Sequence, residues 1–137
     1  MIIADTGFFV ALANNKDKFH QIAKQKISTL KEKLIITYPI IVEASYLLLE
    51  RCNQEVQFKF LNQLNKGGID IFHFNENNLM RMIKLMKKYF DLPMDFADAS
   101  LVVLAEEINE NRILTTDFRD FNIYRWHDNQ KFDILLS

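Results

Sequence analysis

Short apolar runs alternate with longer helical patterns along the chain, and this alternation limits the possible folds more than any other feature of the sequence. Apolar runs that end in turn residues or polar groups are typical of buried strands. The sequence contains four such runs and a possible fifth, at residues 2–4, 34–37, 69–74, 113–115 and 132–136. Because strands that are apolar throughout need cover on both faces, the pattern predicts a parallel sheet between helices.

The segments between these runs show helical spacing of apolar residues. The predicted helices span residues 8–13, 19–30, 40–51, 55–66, 79–90 and 95–109. A chain of 137 residues with three Gly and two Pro has no linker and no low-complexity stretch. We therefore predict one α/β domain over residues 1–137, with three layers around a parallel sheet of four to five strands.

Composition excludes several classes of protein. The 17 basic and 18 acidic residues give a formal net charge of -1, which counts against a strongly basic nucleic-acid binder but leaves room for a local basic face. Cys52 is the only cysteine, so neither an internal disulfide nor a cysteine-based zinc site can form. No apolar run approaches the roughly 18 residues of a membrane span, and no signal peptide is visible. We expect a cytoplasmic protein with no membrane partner.

Two acidic residues follow strands directly. Asp5 comes after the first predicted strand and Asp117 after the fourth. In an open parallel sheet, functional groups gather beyond the carboxyl ends of the strands. The alternative for each residue alone is a turn position or a helix N-cap.

Two further acids interrupt otherwise apolar helices. Glu43 lies in a segment so apolar that we expect the helix to be buried, and an unpaired buried carboxylate costs several kcal/mol or a large pKa shift. The alternative for Glu43 is an exposed helix edge or a salt bridge. Asp98 is the one charge between Phe96 and Ala105. Its alternative is specific, because Asp95 at the N-cap and Asp98 three residues later form a capping-box-like pair. We expect Asp95 to cap the helix and Asp98 to point inward.

Four acids on four separate segments suit one pocket for hard divalent cations. Mg²⁺ and Mn²⁺ prefer carboxylate and water oxygens, and such ions activate water for attack on a phosphodiester. The three histidines lack ligand-type spacing, and the three glycines form no phosphate-binding motif. Ser45 and Ser100 have no nucleophile-elbow glycines around them. The acids therefore predict a metal-dependent nuclease.

The same segments resemble PIN domains, over essentially the whole chain and in the usual order. The similar segments are IIADTG at residues 2–7, PIIVEASY at 39–46, LPMDFADAS at 92–100 and ILTTDFRDF at 113–121. Small stand-alone domains of this length resemble VapC-type toxins, which are endoribonucleases neutralised by a cognate antitoxin.

The resemblance implies an Mg²⁺ or Mn²⁺ site with Asp5 and Asp98 as the main ligands. It implies that Glu43 binds metal or positions the attacking water, and that Asp117 completes the cluster. Thr6 and Thr115 would give polar support near the metal. The resemblance also implies an RNA substrate, an antitoxin partner and a homodimer.

Three other functions are alternatives to a toxin ribonuclease. A phosphoacceptor domain would need a lone Asp at the end of the central strand and a Lys after a late strand, whereas the predicted strand 69–74 is followed by Asn75-Glu76 and the fourth strand by Thr116-Asp117. A non-catalytic RNA-binding or scaffold domain would be weakened by clustered negative charge. A housekeeping RNA-processing nuclease fits the same residues as a toxin.

Basic residues on the predicted helix 79–90 are the candidates for RNA contact. Arg81, Lys84 and Lys88 lie away from its apolar stripe. The alternative is a solvated face that only aids solubility.

Overall fold

The computed structural model describes residues 1–137 and contains one five-stranded sheet in which every strand pair is parallel. The strand order is β3-β2-β1-β4-β5, which places β1 at the centre with β2 and β4 beside it. The strands are β1 (Ile2–Ala4), β2 (Leu34–Thr37), β3 (Ile69–Phe72), β4 (Arg112–Leu114) and β5 (Asp133–Ile134).

Seven helices cover the sheet and complete a three-layer α/β/α arrangement. They are α1 (Thr6–Ala13), α2 (His20–Thr29), α3 (Tyr38–Arg51), α4 (Gln54–Asn65), α5 (Glu76–Lys88), α6 (Phe96–Ile108) and α7 (Phe118–Ile123). Helix α1 packs against α2 and α3, α3 against α4, and α5 against α6. None of these helices is long and apolar enough to cross a membrane.

The predicted fold class is confirmed, because the apolar runs form the strands of a parallel sheet. Every residue of β1 and β2 is buried, as expected for central strands covered on both sides. Element ends differ from the prediction where side chains cap helices. Helix α5 begins at Glu76, three residues early, because Asn75 and Asn78 form a capping box that the apolar periodicity does not reveal.

Helix α7 is the one helix that the sequence analysis did not predict. It has only six residues, too few for an apolar stripe to repeat, and Asp117 caps its start. Its one buried residue, Phe121, packs edge-to-face against Tyr124 and Phe132. This short helix carries the residues after β4 back over the carboxyl edge of the sheet.

The prediction that α3 is buried nearly all round was wrong. Ile40, Ala44 and Leu48 face the core, but Val42 is 68% exposed and Tyr46 is 59% exposed. Apolar composition therefore overstated the cover on this helix, and one of its faces is open to solvent.

Candidate active site

A pocket of about 270 Å³ opens at the carboxyl edge of the sheet, where β1 and β4 end beside the start of α6. Seven carboxylates and one guanidinium line it, together with Thr6, Gly7 and a few apolar groups. The charged lining residues are Asp5, Asp17, Glu43, Asp95, Asp98, Asp117, Asp120 and Arg51. The structure thus brings the four acids singled out in the sequence into one pocket.

Asp5 is the most buried acid of the pocket, with 7% of its surface exposed. It is the N-cap of α1, and its Oδ1 accepts a hydrogen bond from the Thr6 amide at 2.8 Å. Its Oδ2 accepts a hydrogen bond from the Thr115 hydroxyl at 2.7 Å. Burial raises the pKa of Asp5 to about 6, although both hydrogen bonds act in the opposite direction. The carboxylate is therefore held rigidly where its charge is unfavourable.

Asp98 lies in the first turn of α6 and is half-buried. The Asp95 side chain accepts a hydrogen bond from the Asp98 amide at 2.7 Å, so Asp95 caps the helix as expected. The Asp98 carboxylate is left free to face the pocket, where its Oδ2 accepts a hydrogen bond from the Tyr124 hydroxyl at 2.8 Å. Burial, followed by the charges of Asp5 and Asp95, raises the pKa of Asp98 to about 8.

Asp117 and Asp120 repeat the arrangement of Asp95 and Asp98 on α7. Asp117 caps the helix and accepts a hydrogen bond from the Asp120 amide at 3.1 Å. Oxygen atoms of Asp98, Asp117 and Asp120 lie within 4.8 Å of one another, a separation that one metal ion can bridge. Burial raises the pKa of Asp117.

Asp17 and Asp120 are the two acids of the pocket that the sequence analysis did not single out, and for Asp120 a sequence signal exists. The signal was present, because Asp-x-x-Asp occurs both at residues 95–98 and at residues 117–120. In each pair the first Asp caps a helix and the second lies in its first turn, where the helix dipole favours negative charge.

Glu43 reaches the pocket from α3 and is half-buried. It forms no ion pair, so the salt bridge considered as an alternative is not found. Its charge adds to the rise in the pKa of Asp5. Arg51, two turns further along α3, is the only cation in the pocket wall, and it too forms no ion pair.

Gly7 allows two segments of the site to approach closely. A Cβ atom at this position would lie 2.2 Å from the Thr116 hydroxyl oxygen. Glycine therefore lets the first turn of α1 pack against the segment that leads from β4 to Asp117. A larger residue at this position would force the Thr116 side chain to shift.

The donor set fits a hard divalent cation. It consists of carboxylate oxygens, the ligands that Mg²⁺ and Mn²⁺ prefer. The hydroxyl of Thr6 is buried in the pocket wall without a hydrogen-bond partner, which is unusual unless water or another ligand completes its surroundings. Acids with raised pKa values and no cation partner further indicate a place for an added positive charge.

The three basic residues proposed for RNA contact do not line this pocket. Arg81 donates two hydrogen bonds to Glu106, at 3.0 and 2.9 Å, and a third to Asp128 at 3.0 Å. Lys88 pairs with Asp128 at 3.4 Å, whereas Lys84 is exposed and unpaired. Arg81 therefore holds α5, α6 and the 127–128 turn together, and a role in RNA binding stays a prediction for all three.

The sequence matches the model of the PIN domain over residues 2–126, so the chain belongs to the PIN-domain family. It is 24% identical to Ribonuclease VapC26 of Mycobacterium tuberculosis, over 98% of this chain and 99% of that protein. The predicted resemblance to PIN domains and VapC-type proteins is confirmed.

Solved structures of related proteins share the fold. Mycobacterium tuberculosis VapC20, described as a Sarcin-Ricin loop cleaving toxin, superposes with a TM-score of 0.80 at 18% identity, covering 87% of this chain and 92% of that one. VapBC-1 from nontypeable Haemophilus influenzae gives a TM-score of 0.68 at 18% identity over 100% of both chains. A toxin-antitoxin complex from Klebsiella pneumoniae gives 0.66 at 16% identity over 88% of this chain and 90% of that one.

Proposed function

We propose that the protein is a Mg²⁺- or Mn²⁺-dependent endoribonuclease. One observation carries the proposal: a PIN-domain chain retains a pocket of carboxylates in which Asp5 and Asp98 have raised pKa values and no cation partner in the protein. A structural cluster of this kind would lower stability without benefit. Binding of a divalent cation gives the arrangement a function.

Asp5, Asp98 and Asp117 would hold the metal, with Asp120 beside them. When bound, the metal lowers the pKa of a coordinated water and stabilises negative charge on the phosphate oxygens. Thr115 and the Thr6 amide keep the Asp5 carboxylate fixed, so little reorganisation is needed on binding.

Glu43 faces the same pocket from a different helix and has no partner of its own. We assign it either to the metal or to the attacking water, from which its carboxylate would accept a proton. Arg51 would contact the phosphate of the substrate, because a guanidinium matches phosphate geometry and no acid of the protein engages it.

The test is cleavage of mixed RNA by the purified protein with Mg²⁺, with Mn²⁺ and with EDTA. We expect internal cleavage that requires the metal and disappears in Asp98→Asn. Asp95→Asn is the matched control, because asparagine caps helices as well as aspartate does. RNA binding without cleavage under any divalent ion would instead support a non-catalytic RNA-binding domain.

A toxin role is the part of the proposal that rests on the relatives. Proteins of this fold occur in toxin-antitoxin complexes, and the chain shows clear similarity to a VapC ribonuclease. We propose an antitoxin partner that occludes the acidic pocket, for which an arginine would be a suitable group. Expression of the intact protein alone in its own host should slow growth, and Asp98→Asn should not. Harmless expression of the active enzyme would favour a housekeeping RNA-processing role.

A cytoplasmic homodimer is proposed on the same basis. The open face of α3, with Val42 and Tyr46, would otherwise expose apolar surface to water. Sedimentation equilibrium of the purified protein tests the assembly, and a monomer at all concentrations would contradict it.

RNA contact by Arg81, Lys84 and Lys88 is tested best through Lys84, the unpaired member of the set. Removal of one phosphate contact should reduce the salt dependence of RNA binding by about one counterion. The triple alanine variant also breaks the pairs with Glu106 and Asp128, so its folding must be measured alongside. An unchanged salt slope in Lys84→Ala would move the RNA path to another face.

A further inference from the structure

Tyr124 connects the end of α7 to the acidic pocket. It is fully buried, and its hydroxyl donates to Asp98 Oδ2 at 2.8 Å. We propose that Tyr124 is a positioning residue of the active site, whose hydroxyl holds Asp98 in the orientation that binds the metal. This inference rests on the proposed function and assigns a residue to it from outside the acidic cluster.

Packing fixes the ring of Tyr124, and only the hydroxyl distinguishes it from phenylalanine. The ring lies edge-to-face with Tyr89 at 5.2 Å and with Phe121 at 5.1 Å between centroids. Phenylalanine could make both contacts equally well. The hydroxyl has one hydrogen-bond partner in the protein, which is Asp98. The hydroxyl therefore acts on Asp98, from a ring that cannot turn away.

The contact gives Asp98 the kind of support that Asp5 receives from its own hydrogen bonds. Both oxygens of Asp5 accept hydrogen bonds, from Thr6 and Thr115. Asp98 accepts only the hydrogen bond from Tyr124, on Oδ2, so Oδ1 is left for a ligand. Groups that orient metal ligands through hydrogen bonds typically contribute 10–100-fold in metal affinity or activity.

The same contact joins two elements of the site. Tyr124 directly follows α7, seven residues after Asp117 and four after Asp120, whereas Asp98 belongs to α6. The hydroxyl thus links the helix that carries two of the acids to the helix that carries the third. Loss of the link would loosen the relative placement of α6 and α7 at the pocket.

The experiment measures Mn²⁺ binding by electron paramagnetic resonance in the parent, Tyr124→Phe and Tyr89→Phe. Tyr89 belongs to the same aromatic cluster, but its hydroxyl accepts a hydrogen bond from the Arg125 amide at 3.0 Å and touches no carboxylate. We expect the Kd for Mn²⁺ to rise by about tenfold or more in Tyr124→Phe and to stay close to that of the parent in Tyr89→Phe. Equal affinities in all three proteins would overturn the inference.

Failure of the proposed function gives a different result. If the parent binds no Mn²⁺, the metal site itself is wrong and the role of Tyr124 falls with it. If the parent binds Mn²⁺ and Tyr124→Phe binds it equally well, only the positioning role is lost.

A second measurement on the parent does not depend on the folding of any variant. A hydroxyl proton buried against a carboxylate exchanges slowly and should give a proton resonance with a nuclear Overhauser contact to the Asp98 side chain. We expect this signal in the Mg²⁺-loaded parent as well as in EDTA. Its loss on addition of Mg²⁺ would show that the bond is absent from the metal-bound state and would overturn the proposal.

Discussion

The pKa values of carboxylates are shifted in opposite directions at the two edges of the central sheet. At the amino edge, Glu32 accepts hydrogen bonds from Arg112 and from the N-terminal amine, which lower its pKa to about 2. Glu110 there is also bound by Arg112, and Asp70 by Lys33. At the carboxyl edge, burial raises the pKa of Asp5 to about 6 and that of Asp98 to about 8.

The pKa values differ between the two edges because the groups next to the acids differ. Glu32, Asp70 and Glu110 at the amino edge each have a cation within 3.1 Å. Among the acids of the pocket, only Asp120 has a paired cation, Arg119, and none engages Arg51. Selection for stability alone produces paired acids of the first kind. Unpaired, half-buried acids lower stability, and such groups cluster at functional sites.

The largest expected effect is a loss of RNA cleavage when the charge of Asp98, at the carboxyl edge, is removed. Asp98→Asn should reduce RNA cleavage by about 10³-fold or more, because the loss of a metal ligand removes several kcal/mol of transition-state stabilisation. The measurement is single-turnover cleavage of a defined RNA. Asp95→Asn should keep most of the activity, since its role is to cap α6. Comparable losses in both variants would mean that helix capping, and not metal binding, explains the result.

The second prediction concerns the stability of the metal-free protein as the pH changes. Asp5 and Asp98 have folded-state pKa values of about 6 and about 8, above the ordinary value of about 3.9. The folded state therefore binds more protons than the unfolded state between these values. The free energy of unfolding should fall by several kcal/mol as the pH rises from about 4 to about 8, at about 1.4 kcal/mol per pH unit for each of the two carboxyls until its folded-state pKa is reached.

Chemical denaturation in EDTA across that pH range checks this decline. Asp98→Asn should remove the decline above pH 6 and about half of the slope between pH 4 and 6, where Asp5 also contributes. At the amino edge the change of stability with pH has the opposite sign. The lowered pKa of Glu32 contributes stability that is lost only as the pH falls from about 4 towards 2. If the stability of the parent did not change between pH 4 and 8, the folded state would not disfavour charged carboxylates at the carboxyl edge, and the contrast with the amino edge would be lost.

The third prediction concerns the stabilisation of the folded protein by a divalent cation. Mg²⁺ or Mn²⁺ at a hundred times its Kd should stabilise the parent by about 2.7 kcal/mol, and Asp98→Asn much less. In the absence of metal, Asp98→Asn should be more stable than the parent, because it removes the cost of burying a charge and the repulsion from Asp5. Thermal unfolding with EDTA and with excess metal measures both effects. Equal metal-induced shifts in the two proteins would remove Asp98 from the site.

The smallest effect is expected at the amino edge. Glu32→Gln removes an exposed partner of Arg112, and exposed ion pairs contribute little after screening by salt. Cleavage activity should stay within about twofold of the parent, as is usual for surface changes away from the chemistry. Metal-induced stabilisation should be unchanged. A loss of metal binding in this variant would show that the two edges are coupled through the sheet.

The sequence alone was sufficient for the fold and for the approximate place of the acidic pocket. Apolar runs and helical periodicity are local properties, so the parallel sheet followed from them directly. Asp5 and Asp117 end neighbouring strands, and the rule for open α/β sheets places such residues together. The Asp-x-x-Asp pairs also show locally which acid caps a helix and which one is released for the pocket.

Only the tertiary structure decided which side chains meet. Tyr124 lies 26 residues from Asp98 in the sequence, and the cover on α3 depends on the helices around it. The pairing of Arg81 with Glu106 spans 25 residues and could not be read from the charge pattern of α5. Such contacts depend on the packing of segments far apart in the chain, whereas strand and helix periodicity depends on near neighbours. The sequence therefore determined where carboxylates gather, and packing determined which of them have partners.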